Sequence, residues 1–141
     1  MIILDTNVLS EQTRPNPSEA VLNWAASIPL SQLFATAVSE TEMLIGIEIM
    51  PLGRRRTALT SEIVRIFDRD FSDRILPFDR SAARALSLFP LRRDRSGAPI
   101  VDADAMIAAI ASAHGAAIAT RDAKDFQAFG VQIINPWTAR P

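Results

Sequence analysis

The chain begins with MIILDTNVLS (residues 1–10), in which three large apolar side chains run directly into a carboxylate. Ile2, Ile3 and Leu4 are typical of a short buried strand. A charge at the mouth of a hydrophobic core is costly unless it is paired, hydrogen-bonded or bound to a metal. Asp5 is therefore predicted to have a specific role at the end of a strand.

The composition limits the class of protein. The 141 residues favour one domain, residues 1–141, and 48% hydrophobic residues exclude a disordered chain. The net charge of −1 gives no general attraction for nucleic acid, although a local basic patch can still supply one. The absence of cysteine excludes disulfides and thiolate zinc sites. Without a signal-peptide pattern or an apolar run that spans a bilayer, we expect a cytoplasmic protein with no membrane association.

Strand-like and helix-like segments alternate along the chain. The segments IILD, LFATAV and AAIAT are typical of strands, and SETEMLIGIEIM and MIAAIASAH are typical of helices. Strands that are separated by helices predict an α/β fold, with a mostly parallel central sheet and helices on both faces.

Four acidic residues are predicted to meet at one edge of this sheet. Asp5 and Asp122 follow strands, and Glu42 and Asp104 lie in the first turns of helices that enter from the same edge. Ligands of open parallel sheets bind outside the carboxyl ends of the strands. Carboxylates favour Mg²⁺ or Mn²⁺ over zinc. The single histidine, His114, is near a helix C-terminus, where Gly115 is predicted to end the helix. A metal-activated water is therefore expected rather than a histidine base.

Each acid also has a structural interpretation. Asp5 can cap a turn through its side chain. Glu42 comes three residues after Ser39, which is the spacing of a capping box. Asp102 suits an N-cap, and because residues two apart do not share a helix face, one of Asp102 and Asp104 is expected to be structural. Spacing alone does not decide which. Asp122, like Asp125, can cap the short helix of the DAKDFQAF segment.

Five motifs occur in order along nearly the whole chain: DTNVLS, SETEMLIGI, DADAMIAA, ATRDAKDF and NPW. Together they resemble PIN-domain ribonucleases of the VapC toxin type, and in particular the FitB-like branch. The resemblance implies a three-layer PIN-like fold and a magnesium-dependent endoribonuclease. It further implies the toxin of a type II toxin–antitoxin pair, a homodimer, and a cognate antitoxin that blocks the active site. The family pattern places its acid three residues before Ile-Ala, which selects Asp104 over Asp102.

The resemblance also assigns roles to individual residues. It implies that four acids bind magnesium, or Mn²⁺ as a substitute metal, and catalyse the reaction: Asp5, Glu42, Asp104 and Asp122. In this chemistry an activated water attacks the RNA phosphodiester in line. Short polar side chains beside the acids are predicted to orient carboxylates or water, namely Thr6, Asn7 and Thr120.

An acidic site repels RNA, so cations are needed at its rim. Two arginine clusters are candidates, residues 54–56 and 92–95, and within the second we select Arg92, Arg93 and Arg95, since arginine suits phosphate geometry.

The helix after Glu42 is predicted to lie in a protein interface. Apolar residues surround it, whereas a surface helix normally has one apolar face. The residues predicted to contact a second copy or the antitoxin are Met43, Leu44, Ile47 and Met50.

Three other functions share parts of this pattern. A haloacid-dehalogenase-like phosphatase needs a second Asp where Asn7 stands. A receiver-like domain needs paired early acids and a lysine opposite, but the single lysine, Lys124, lies two residues after Asp122. A non-catalytic acidic pocket that recognises a basic partner peptide stays open, and metal-dependent cleavage of RNA would distinguish it from the enzyme.

Overall fold

A parallel β-sheet forms the centre of the molecule. The structure is a computed structural model that describes residues 1–139. Within this range there are five strands: β1 (Ile2–Leu4), β2 (Leu33–Thr36), β3 (Ile75–Leu76), β4 (Ala117–Ala119) and β5 (Ile133–Ile134). Their order is β3-β2-β1-β4-β5, and every neighbouring pair is parallel. The predicted parallel α/β sheet is confirmed, and β1 is its central strand.

Helices cover both faces of the sheet. The described residues form seven α-helices: α1 (Thr6–Leu9), α2 (Glu19–Ala26), α3 (Ala37–Glu48), α4 (Arg54–Arg65), α5 (Arg80–Leu86), α6 (Ala103–His114) and α7 (Ala123–Phe126). A π-helical turn, Ile66–Asp70, continues α4. In residues 1–139 no helix combines the length and the apolar character needed to cross a membrane.

The sheet is buried on both sides because successive strand residues point to opposite faces. Leu4 of β1 packs with α1–α4 in one core, and Ile3 packs with α5–α7 in the other. In β4, Ala119 and Ile118 divide between the two cores in the same way. The chain therefore has the three layers that the sequence predicted.

Helix α3 begins earlier than the sequence indicated. The predicted strand LFATAV ends at Thr36, whose buried hydroxyl accepts a hydrogen bond of 3.0 Å from the Ser39 N–H and so caps α3. The proposed capping box from Ser39 to Glu42 is wrong. Glu42 lies in the second turn of α3, where no exposed N–H needs its carboxylate.

Helix α6 has the termini that its sequence predicted. The Asp102 carboxylate accepts a hydrogen bond of 2.9 Å from the Ala105 N–H, and Gly115 ends the helix in the left-handed conformation at φ 60°. His114 is the last residue of α6. The capping role of Asp102 is confirmed.

The interface prediction for α3 is wrong for two of its four residues. Met43 and Ile47 are 6% and 3% exposed, because they lie one turn apart on the face that packs into the core of α1–α4. Leu44 is 41% exposed and Met50 is half-buried. The exposed apolar surface instead centres on Leu44 and Ile45 of α3 and on its C-cap residue Ile49, which together we call the exposed α3 face.

Candidate active site

Asp5 is the most enclosed acid of the site. Its backbone N–H bonds to the Ala119 carbonyl at 3.0 Å, which continues the pairing of β1 with β4. Its Oδ1 caps α1 by accepting from the Thr6 N–H at 2.8 Å, and its Oδ2 accepts from the Thr120 hydroxyl at 2.8 Å. Burial raises the pKa of Asp5 above its ordinary value, whereas these two hydrogen bonds act to lower it. The charges of Glu42 and Asp122 raise the pKa further.

Glu42 reaches the same edge from α3. Its Oε1 accepts a hydrogen bond of 2.7 Å from the Thr6 hydroxyl, the residue directly after Asp5. The contact ties the first residue of α1 to the second turn of α3. The Thr6 side chain therefore holds one oxygen of Glu42 and leaves its other oxygen without a bond in the described part of the chain.

Asn7 and Thr120 connect Asp5 with Asp122. The Asn7 amide nitrogen lies 2.9 Å from Oδ2 of Asp5 and 3.0 Å from Oδ2 of Asp122. The Thr120 hydroxyl lies 3.0 Å from the same amide and also accepts from the Asp122 N–H at 3.0 Å. The three polar residues that the sequence placed beside the acids, Thr6, Asn7 and Thr120, all contact the acids directly.

Asp104 projects from the first turn of α6 and is half-buried. Burial is the main cause that raises its pKa to about 6, and the negative charges of Asp5, Asp102, Asp125 and Glu42 add to the effect. The charges of Asp5 and Glu42 act on Asp104, so its carboxylate lies near these two acids. The structure therefore brings all four predicted acids to one edge.

The negative charge of this edge is not balanced by an ion pair. In residues 1–139, the five ion pairs leave out Asp5, Glu42, Asp104 and Asp122. Uncompensated carboxylates that raise one another's pKa favour a bound cation.

The donor set fits a hard metal ion, with one restriction. Carboxylate oxygens beside hydroxyl and amide side chains suit Mg²⁺, which is usually held by one or two carboxylates and several waters. In the described part of the chain, no three acidic or histidine side chains are positioned to hold one ion together. The residues therefore fit an ion with few protein ligands and not a closed cage. Asp102 is already engaged, since its oxygens bond to the Ala105 N–H and to Arg92.

The predicted RNA-binding arginines have different surroundings. Arg92 pairs with Asp102 at 2.8 Å and lines the same cavity as Asp104, whereas the Arg93 guanidinium donates to the Gly97 carbonyl at 2.7 Å. Arg95 is exposed.

Arg121 is a rim cation that the sequence pattern did not single out. Its backbone N–H donates to the Asn7 side chain at 3.3 Å, and its guanidinium lies 4.5 Å from the centre of the Trp137 ring. Its position between Thr120 and Asp122, together with the NPW motif, was the available signal.

Two cavities lie near the helices that follow the strands of the sheet. The first, which we call the apolar groove, has a volume of about 320 Å³ and is lined mainly by α1, α2 and Phe71, with Glu11 in its wall. The second, which we call the side cavity, has a volume of about 140 Å³ and includes Asp104 in its wall.

The chain is similar to known proteins over nearly its whole length. Residues 2–131 match the PIN domain family. The chain is 40% identical to VapC ribonuclease Y4jK of Sinorhizobium fredii, over 97% of this chain and 98% of the relative, and 36% identical to Toxin FitB of Neisseria gonorrhoeae, over 97% and 99%. The crystal structure of FitAcB from Neisseria gonorrhoeae superposes with a TM-score of 0.85 at 35% identity, over 99% of this chain and 100% of that one. The chain therefore belongs to the PIN domain family, in the group that contains these VapC and FitB proteins.

Proposed function

We propose that this protein is a magnesium-dependent endoribonuclease that acts in the cytoplasm as the toxin of a type II toxin–antitoxin pair. The observation that carries the proposal is the set of four carboxylates at one sheet edge, none of which forms an ion pair within residues 1–139. The similarity to VapC ribonuclease Y4jK and Toxin FitB supports it.

Each acid contributes differently. Asp5 and Asp104 are the best candidates to hold the metal, because burial and mutual repulsion leave them in greatest need of positive charge. Glu42, fixed through one oxygen by Thr6, keeps the other free to orient a water. When bound, magnesium supplies the positive charge that activates a water and neutralises the phosphate. Attack of the water on the phosphorus of the RNA phosphodiester breaks the P–O3′ bond. The products are a 5′-phosphate and, after O3′ takes up a proton, a 3′-hydroxyl.

Cations at the rim must overcome the repulsion between these acids and RNA. Arg121 is held over Trp137 beside Asp122, and Arg92 is held by Asp102 beside Asp104. Each guanidinium group is held by one contact near an acid of the site, and the planar guanidinium suits the phosphates that flank the cleaved bond. Arg93 is less suitable because its guanidinium is committed to a backbone carbonyl.

The apolar groove is the proposed binding site of the antitoxin. Buried side chains of the groove include Val8, Leu9 and Phe71, and its wall also holds the carboxylate of Glu11, whose Oε2 lies 3.4 Å from Nε of Arg14. Apolar walls suit a partner segment that carries apolar side chains, since the two acids of the lining, Glu11 and Asp70, already pair with Arg14 and Arg65. The solved VapBC-5 structure from Mycobacterium tuberculosis, which is 25% identical to this chain and is described as a member of the VapBC family of toxin-antitoxin systems, supports an antitoxin partner.

A second copy of the chain is the proposed partner of the exposed α3 face. Ile45 and Ile49 are 56% and 81% exposed, which is costly for neighbouring apolar side chains in water. A homodimer contact covers this face without using the apolar groove.

Cleavage of total cellular RNA by the purified protein tests the enzyme proposal. We expect cleavage with magnesium, none with a chelator, and none by Asp5→Asn, which keeps the shape of the side chain but loses its charge. Asp68→Asn, a change at an exposed acid outside the site, is the control and should cleave normally. Absence of cleavage, combined with tight binding of basic peptides that Asp5→Asn weakens, would favour the non-catalytic binding module.

A further inference from the structure

The side cavity carries three kinds of chemistry next to Asp104. Leu91 and Phe129 supply apolar surface, and Phe129 is stacked on Phe89 with ring centres 4.9 Å apart. Arg92 and Lys124 supply positive charge. Asp125 supplies a carboxylate. An apolar ring, cations and hydrogen-bond acceptors within one small cavity are the groups that recognise a single-stranded nucleotide through its base and its phosphate.

The volume of the cavity limits what can enter it. At about 140 Å³ it is smaller than the roughly 300 Å³ or more of pockets that enclose whole ligands. It suits one planar fragment of a longer ligand. Since Asp104 is part of its wall, a nucleotide whose base enters the cavity would be close to the cleaved phosphate.

Asp125 is the free acceptor of the cavity. Both oxygens of Asp102 are engaged, by the Ala105 N–H and by Arg92, and Asp104 belongs to the metal-binding edge. In residues 1–139 the Asp125 side chain makes no hydrogen bond or ion pair, and it is exposed. A carboxylate accepts two parallel N–H bonds, and guanine presents two adjacent donors, N1–H and the exocyclic amine. Adenine and cytosine each present an amine without a neighbouring ring N–H.

We propose that the side cavity binds a guanine base next to the cleaved bond, with Asp125 accepting its two N–H groups and Lys124 meeting a phosphate. The inference rests on the proposed ribonuclease function, and it adds the base that the site selects. Phe129 and Leu91 contact the face of the base, and the Arg92–Asp102 ion pair forms part of the wall.

A cleavage profile on a randomised RNA pool tests the inference. Wild-type protein should produce ends enriched in guanine at one position beside the cut. Asp125→Asn should reduce that enrichment about tenfold, the discrimination of a bidentate contact to a base. Asp68→Asn is the matched control, because Asp68 is exposed and does not line the side cavity, and it should keep the profile.

Replacing the selected guanine by inosine, which lacks the exocyclic amine, gives a second readout. Wild-type cleavage should fall, whereas Asp125→Asn should cleave both oligonucleotides alike. Cleavage with no guanine enrichment, or with enrichment that Asp125→Asn leaves unchanged, overturns the inference and leaves the ribonuclease standing.

Absence of cleavage overturns the proposed function instead. In that case, fluorescence anisotropy with the same guanine and inosine oligonucleotides decides whether the cavity binds the base. A guanine preference that Asp125→Asn abolishes supports the site, and equal affinity or no binding rejects it.

Discussion

The Thr6 hydroxyl donates a hydrogen bond of 2.7 Å to Oε1 of Glu42, a residue 36 positions away in the sequence. The carboxylate of the preceding residue, Asp5, accepts from the Thr6 N–H. One threonine thus positions two acids of the candidate active site, one through its backbone and the other through its side chain.

This relationship predicts a graded series of activities. Thr6→Val should lower cleavage about tenfold to a hundredfold, as loss of a residue that orients an acidic ligand generally does, and Thr6→Ser should restore most of it. Glu42→Gln should be more severe, since it removes the charge itself. Single-turnover rates measure the series. A Thr6→Val enzyme as fast as wild type would show that Glu42 needs no positioning, and a wild-type rate for Glu42→Gln would remove Glu42 from the site.

The raised pKa of Asp104 predicts how stability depends on pH without metal. Its pKa is about 6 in the folded protein against 3.8 ordinarily, so between these values the folded state binds more protons than the unfolded state. The contribution of Asp104 to the free energy of unfolding is therefore fully present at low pH, and it is lost as pH rises from about 4 to 6.

Asp104→Asn should remove this pH dependence. At pH 7 in chelator, the variant should be more stable than wild type by about 1 kcal/mol, a figure reduced for solvent around a half-buried group. Near pH 3.5 the difference should vanish because both side chains are then neutral. Urea denaturation at the two pH values measures it. A variant less stable than wild type at pH 7 would contradict the repulsion inferred for this edge.

Magnesium should stabilise the folded protein by binding the same acids. The melting temperature should rise on addition of Mg²⁺, and it should rise less at pH 5 than at pH 7 because protons compete for Asp104. Asp5→Asn and Asp104→Asn should lose most of the rise, whereas Asp68→Asn should retain it. Thermal melts with and without chelator provide the measurement, which needs no activity. An equal rise in all variants would place the ion elsewhere.

The rim cations should differ in their contribution to RNA binding. Removing an arginine that neutralises one phosphate of single-stranded RNA reduces the slope of log affinity against log salt by about 0.7. We expect that reduction for Arg92→Ala and for Arg121→Ala. Arg93→Ala serves as the comparison, since its guanidinium already bonds to Gly97. Binding titrations at several salt concentrations, on inactive Asp5→Asn protein, give the slopes. An unchanged slope for Arg92→Ala and Arg121→Ala would exclude both from the phosphate path.

The exposed α3 face should control the oligomeric state. Leu44→Glu and Ile49→Glu add a charge to side chains that are 41% and 81% exposed, so each protein should fold but halve its mass in light scattering. Ile47→Glu is the contrasting change, because Ile47 is buried in the core and its substitution should unfold the monomer. If both surface variants keep the wild-type mass, the second copy does not bind here.

The sequence by itself determined the fold class, and it indicated the four acids, with Asp104 selected over Asp102 only through the resemblance to a known family. Alternating apolar segments specified the parallel sheet, because burial on both faces requires strands with few polar residues. The position of Asp5 at the end of a buried strand, and of Asp122 after another, placed both at the carboxyl edge of that sheet. Local rules also sufficed for Asp102 and Gly115, since helix capping depends on residues within one turn.

The tertiary structure alone decided which groups face one another. Capping rules misplaced the start of α3, because a buried Thr36 at the end of β2 competes with Ser39 for the N-cap. The sequence pattern of α3 showed apolar residues all round, and only packing separated Met43 in the core from Leu44 at the surface. The bond from Thr6 to Glu42 and the place of Arg121 over Trp137 depend on chain segments far apart in sequence. Periodicity records the secondary structure of one segment, whereas burial and charge pairing arise from the neighbours that folding brings to it.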